Sequence, residues 1–171
     1  MNTAPAAPLP ADFRDLSALI AEHAARRPDA TAIIALGQRL SYAALDALAD
    51  RVAAALQRDG LAPQQCVAIC GASSIAYVAI FIGALRAGLA AAPLAPSSTP
   101  AQLAAMVADA GAPLVFIDDA VAAMGVDWPA GRTVLRMDAT DSGPCFDTWL
   151  TPAGARPQPV AIDPAWPFNL I

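Results

Sequence analysis

Lysine is absent from the 171 residues, because all ten basic side chains are arginine. Its absence excludes a nucleoside-triphosphatase loop, whose glycine-lysine pair cradles phosphates, and a receiver domain, which relies on a lysine at a later strand end. Histidine occurs once, as His23. No Ser-His-Asp set can be assembled around it, so His23 reads as a partly exposed helical residue and not as a base or ligand. Cysteine is scarce and odd in number, three residues without framework spacing, which suits free thiols in a reducing cytoplasm. Cys66 and Cys70 stand four apart on one predicted strand and so face the same side, but with no histidine nearby they are not expected to bind metal. Basic charge is also short: the formal net charge is -5, against the clustered basic surface that nucleic acid requires. Clustered glycines are missing too, since the CGASSI turn holds a single glycine where a dinucleotide fold uses G-x-G-x-x-G.

An uninterrupted membrane segment is lacking as well. Hydrophobic residues make up 57% of the chain and mean hydropathy is +0.48, but alanine supplies much of both. The longest apolar stretch, 75–94, approaches the ~20 residues of a spanning helix. Arg86, Gly88 and Pro93 interrupt it, so a soluble core and no membrane span are expected. Met1 to Pro10 carries no basic residue and no apolar run, which excludes a signal peptide. Residues 1–12 read as a disordered leader.

What the chain does have is organised around residues 66–88. CVAIC reads as a strand buried on both faces, because no polar alternation breaks it. Gly71 lets the backbone turn without a Cβ, and Ser73 or Ser74 caps the next helix. That helix, 75–87, is apolar on every side, with Ala76, Gly83 and Ala87 as a small-residue stripe for close packing.

On either side the pattern alternates. Asp15 caps a helix over 16–26 with Leu16, Leu19, Ile20 and His23 on one face. Residues 31–36 and 39–40 form a small antiparallel hairpin around a Gly37-Gln38 turn. Ser41 caps a helix to about Asp59 whose buried stripe is Leu45, Leu48, Val52 and Leu56, with Asp46, Asp50, Arg51 and Arg58 largely off it; Gly60 closes it. Beyond the centre come a strand at 89–94, a loop at 95–100 and a helix from Thr99-Pro100 to about Ala110 with Leu103, Met106 and Val107 inward. Strand 114–118, a short helix at 120–124 and strand 133–137 complete a mostly parallel α/β sheet with helices on both faces. The α/β part is assigned to 13–142. Residues 143–171 are read as one helical turn, a proline-rich linker over 151–167 and the start of a new strand at 168–171.

Chemistry is sparse. Asp118 and Asp119 could hold magnesium or accept a phosphoryl group, but Asp119 as cap of the short helix is the favoured reading. Ligands of open α/β sheets bind outside the carboxyl ends of strands, which singles out two loops. One runs from Gly71 through Ser73 to Ser74, at a helix amino terminus suited to an anion. The other is Ser97, Ser98 and Thr99. For both, simple turn-and-cap chemistry is the favoured alternative.

Taken together, ARRPDATAI (25–33), LSYAALDALADRVAAAL (40–56), DGLAPQQCVAI (59–69) and SSIAYVAIFIGALRAG followed by AAPLAP (73–96) resemble the amino-terminal part of the acyl-adenylate-forming superfamily. Its members are acyl-CoA synthetases, peptide-synthetase adenylation domains and luciferases. Residues 164–171 resemble the approach to that family's Ser/Thr/Gly-rich phosphate loop. The resemblance implies ATP-dependent activation of a small carboxylic acid as acyl-adenylate and then thioester formation, with ATP, Mg2+ and coenzyme A used by a parent protein whose remaining chain is the partner of this segment. It also implies that the phosphate loop, the nucleotide motifs and the catalytic lysine lie outside this sequence. No catalytic residue is carried over, and the segment alone is expected to be inactive and to bind no cofactor. Some coenzyme A ligases place a basic residue where this chain has Ala95-Pro96-Ser97. A coenzyme A ligase is expected over a peptide-synthetase module, because the chain starts almost at its first helix. A fatty, aromatic or dicarboxylic substrate, a carrier-protein acceptor and a homodimer remain open, as does a free-standing, non-catalytic α/β binding module.

Overall fold

The computed structural model describes residues 14–138 and 143–171. The expected leader at 1–12 lies outside them. In chain order the elements are α1 (Leu16–Arg26), β1 (Thr31–Ala35), β2 (Gln38–Ser41), α2 (Tyr42–Arg58), β3 (Cys66–Cys70), α3 (Ile75–Arg86), β4 (Ala90–Leu94), α4 (Pro100–Asp109), β5 (Leu114–Ile117), α5 (Asp119–Ala123), β6 (Thr133–Arg136) and α6 (Phe146–Trp149). β1 and β2 form the antiparallel hairpin; the other strands form one parallel sheet in the order β4-β3-β5-β6. The α/β architecture read from the sequence is therefore present, with the CVAIC strand at its centre.

All five residues of β3 are buried, and their alternation divides the core. Val67 and Ile69 face the layer made by α2, α3 and α6; Cys66, Ala68 and Cys70 face α4 and α5. The two cysteines do share a side. α3 is covered over most of its surface, with Ile80 fully and Ile82 almost fully buried, each removal from water contributing about 1.5–3 kcal/mol. Its closest contact is at Gly83, where an added Cβ would lie 2.5 Å from Val52 Cβ and 3.0 Å from the Ala49 carbonyl oxygen. The small-residue stripe thus sets the α2–α3 distance. Among the described residues no helix is long and apolar enough to cross a membrane.

Caps account for most helix boundaries. Asp15, Ser41 and Ser74 accept hydrogen bonds from the amides of Ala18, Ala44 and Tyr77. Thr99 and Gln102 form a reciprocal capping box that starts α4 at Pro100. Gly60 closes α2 at φ +80° and Gly111 follows α4 at φ +60°, the left-handed geometry that favours glycine.

Several readings need correction. The hairpin turns on Leu36 and Gly37, both at positive φ, and not on Gly37-Gln38; Leu36 is 85% exposed. Leu16 and Met106 point outward, at 42% and 40% exposure, while Ser17 is buried in place of Leu16. Asp50 is buried, not off the stripe, because Arg86 reaches it from the end of α3 at 2.7 Å and reaches Asp46 at 2.6 Å. The same guanidinium donates to Ser17 Oγ at 2.8 Å, so one arginine joins α1, α2 and α3. The short helix is capped by Asp118, whose Oδ1 accepts from Val121 N at 2.9 Å; Asp119 is its first residue.

The end of the chain also differs in detail. Residues 151–167 form no regular element, yet they are tied to α2 by side chains. Asn169 lies opposite Ala91 in a parallel bridge: Ala91 N donates to Phe168 O at 3.0 Å and Leu170 N to Ala91 O at 2.9 Å. Of the strand expected at 168–171 the structure has this single bridge, made to β4.

Candidate functional site

The carboxyl ends of the parallel strands gather the loops that sequence reading singled out. From β3 the chain turns through Gly71–Ser74 into α3 on one face of the sheet; from the adjacent β4 it turns through residues 95–99 into α4 on the other. The strand order reverses between β3 and β5, the topological switch point at which ligands of such sheets usually bind. Gly71 and Ser73 follow β3 at that point, and Ser97, Ser98 and Thr99 follow the edge strand β4 beside it.

Most polar groups of these loops are already committed. Ser74 Oγ accepts from Tyr77 N at 3.1 Å, Ser98 N donates to Ala95 O at 3.0 Å, and Thr99 is held in its capping box with Gln102. Ala72 N donates to Asp118 Oδ2 at 2.7 Å, so this loop amide faces a carboxylate. Asp118 therefore bridges the β3 and β5 ends with one oxygen and caps α5 with the other. Ser73 and Ser97 are exposed beside this framework.

The missing Cβ of Gly71, expected at this turn, has a packing role as well. A Cβ there would lie 2.5 Å from Met137 Cε and 2.9 Å from Asp118 Cγ and Oδ2. The Met137 and Asp118 side chains fill the space a Cβ would take, and the backbone at Gly71 is not left-handed. The acidic end continues through Asp119, which pairs with Arg136 and whose amide donates to Asp138 Oδ2 at 2.8 Å. Among the described residues no group of three or more His, Cys, Asp or Glu side chains is arranged to hold a metal ion.

Burial raises the Cys70 thiol to about 11, with the Asp118 charge adding to it, and burial alone does the same for Cys66. Tyr77 is pushed upward by burial and then by Cys70. These groups stay protonated at neutral pH and are not nucleophiles. His23 stacks obliquely against Tyr42, with ring centroids 5.0 Å apart, far from any such framework. A concavity of about 300 Å³ does exist between Arg14, Leu85, Leu89, Trp166 and Phe168. It lies at the amino end of β4, and its charged neighbours are spent locally: Asp15 on the α1 cap, Arg14 on Glu22, and Asp163 on Ala165 N.

Sequence reasoning missed the Asp118–Ala72 bridge and the Arg86–Asp50 pair, both formed by residues far apart in the chain. The only available signal was an aspartate pair at a strand end and an arginine inside an apolar run.

Residues 20–170 match the AMP-binding enzyme family. The chain belongs to that family. The tripeptide synthetase PhsB of Streptomyces viridochromogenes, named for phosphinothricin, is 33% identical over 162 residues, covering 94% of this chain and 14% of that protein. The structure of a nonribosomal peptide synthetase, FmoA3, in an AMPPNP-bound form has a TM-score of 0.76 at 31% identity, over 91% of this chain and 16% of the other. A structure named for a long-chain-fatty-acid CoA ligase of Rhodopseudomonas palustris gives a TM-score of 0.79 at 22% identity, over 91% and 40% of the two chains. That last likeness is one of fold. The AMP-binding resemblance drawn from the sequence holds, and the fold matches the amino-terminal subdomain of the adenylate-forming enzymes. The chain spans 14% of the length of PhsB and 16% of the FmoA3 chain.

Proposed function

We propose that this chain is the amino-terminal scaffold of an adenylate-forming domain of the peptide-synthetase kind, which activates an amino acid as its aminoacyl-adenylate and passes it to a carrier-protein thiol. The observation that carries this reading is the 33% identity to a tripeptide synthetase across 94% of the chain. The cited likeness to a coenzyme A ligase stands at 22% identity and supports only the fold. Ala95-Pro96-Ser97 supports the same preference, since the loop offers no positive charge for a coenzyme phosphate. The expectation of a coenzyme A ligase becomes the second reading, since the structure named for such a ligase shares the fold.

The scaffold's own carboxyl edge offers few free donors for a nucleoside triphosphate. At the carboxyl edge Ala72 N is taken by Asp118, and Asp118, Asp119 and Asp138 make that end acidic. Adenylation needs preorganised donors and cations around the phosphates as charge develops. In our reading those donors, and the groups for Mg2+ and the thiol acceptor, come from chain outside residues 14–171.

The test is ATP–pyrophosphate exchange by the whole adenylating product against amino acids and against fatty and aromatic acids, with and without coenzyme A. Exchange that depends on one or a few amino acids supports the proposal. Exchange with fatty or aromatic acids, accompanied by acyl-CoA formation, replaces it with the second reading.

A further inference from the structure

Residues 168–170 lie along β4 with little to keep them there. Their pairing is the pair of backbone hydrogen bonds through Ala91, and Phe168 is 63% and Leu170 37% exposed, so burial contributes little. The stretch leading to them contains prolines at 152, 157, 159, 164 and 167, each without an amide donor. What this stretch does have is a seam of side-chain bonds to one helix, α2, from about 90 to 106 residues earlier.

The seam runs down the helix and back. Arg58 donates to Trp149 O at 2.9 Å, and Arg51 and Thr151 exchange hydrogen bonds, Nε to Thr151 O at 2.7 Å and Oγ1 to Arg51 O at 2.8 Å. After Gly154 the direction reverses. Arg156 donates to the buried Asp50 at 2.8 Å, and Gln57 pairs reciprocally with the Gln158 backbone at 2.9 and 2.7 Å. Positions 50 and 57, like 51 and 58, are seven apart and so lie nearly above one another on the helix. Beyond the seam, Val160 and Trp166 close on Gly88, where an added Cβ would lie 3.0 and 3.3 Å from them.

We infer that α2 is a latch: Asp50 and Gln57, by gripping Arg156 and Gln158, position residues 168–170 as an added parallel strand on β4. Because that strand runs parallel to β4, its carboxyl end is directed to the edge where residues 71–74 and 95–99 meet. The latch therefore sets how the chain approaches the candidate site, a role distinct from stabilising the core. Asp50 is held independently by Arg86, so the grip on Arg156 can be released without leaving a buried carboxylate unpaired.

The test is amide hydrogen exchange in the 171-residue chain, comparing the parent with the double variant Gln57→Ala, Arg156→Ala and with the charge-keeping single variant Arg156→Lys. Arg156 has 77% of its side chain exposed, so the double variant is expected to fold. The Leu170 amide should exchange about tenfold faster in the double variant while the Phe116 amide of β5 is unchanged, and Arg156→Lys should retain most of the parent protection. Unchanged protection of Leu170 in the double variant overturns the latch. So does loss of Phe116 protection in step with Leu170, which would reduce these residues to general stabilisers.

Discussion

β3 buries all five of its side chains between two apolar layers, whereas residues 168–170, laid along β4 at the edge of the same sheet, leave Phe168 largely and Leu170 partly in water. The central strand needs no side-chain tether, because every alternate residue finds a packed face. The edge strand is bound by polar contacts made elsewhere in the chain. Burial places a strand wherever its apolar run is continuous; a strand without that run must be brought to its partner by the segment that precedes it.

The largest way to break this contrast is to put a charge into each place. Ile80→Asp buries an unpaired carboxylate beneath the central strand at a cost of several kcal/mol or more, comparable to the ~5 to 15 kcal/mol that holds a domain together. Soluble expression should be lost. Phe168→Asp, at the exposed edge, should melt within about 0.5 kcal/mol of the parent. Equal melting of the two variants would mean that centre and edge are held alike.

A second test uses the thiols on the α4 side of β3. Their folded values of about 11 lie above the usual 9.0, so the stability they carry is complete below pH 9 and is lost as pH rises toward 11. Either thiol alone accounts for about 3 kcal/mol across that window. Denaturant titrations at pH 8 and pH 11 should show the loss, and Cys66→Ala with Cys70→Ala should remove most of it, the raised Tyr77 phenol leaving a remainder. A slope unchanged by both substitutions would assign it to other groups.

Glycine substitutions sharpen the comparison at intermediate cost. Gly83→Ala meets Val52 and the Ala49 backbone, and should destabilise by about 1–3 kcal/mol in thermal melts, with partial recovery on adding Val52→Ala. Recovery would be absent if the α2–α3 contact were not the cause. A somewhat smaller effect is expected at the carboxyl edge. Asp118→Ala removes a cap and the tie to Ala72 and should cost about 1–2 kcal/mol, most of which Asp118→Asn restores at the cap. An Asn variant as weak as the Ala variant would show that the charge, and not the acceptor, matters.

The sheet was legible in the sequence because its signals are local. CVAIC, LVFI and the alanine-rich strand before Pro96 are short apolar runs bounded by glycine and proline, and Ser41, Ser74 and Thr99-Pro100 announce their helices within four residues. The errors fall where distant residues decide. Arg86 read as an interruption of an apolar run becomes a tie among three helices, and Asp50 is drawn inside only because that arginine meets it. Asp118 caps in place of Asp119 because its other oxygen is claimed by Ala72, 46 residues earlier. The candidate loops were found from strand ends and helix starts, but their polar groups proved to be engaged in the fold. The grip of α2 on residues 149–158 left no local trace, since glutamine and arginine on a helix surface are ordinary.

The functional account rests on the division of labour between this scaffold and the rest of an adenylating enzyme. ATP–pyrophosphate exchange measured side by side for residues 1–171 and for the whole adenylating product, across the same acid panel with magnesium, tests it most directly. The account predicts background exchange by residues 1–171 with every acid, and exchange above background by the whole product with at least one amino acid. Exchange catalysed by residues 1–171 alone would contradict it, because the carboxyl edge described above would then have to hold the triphosphate itself.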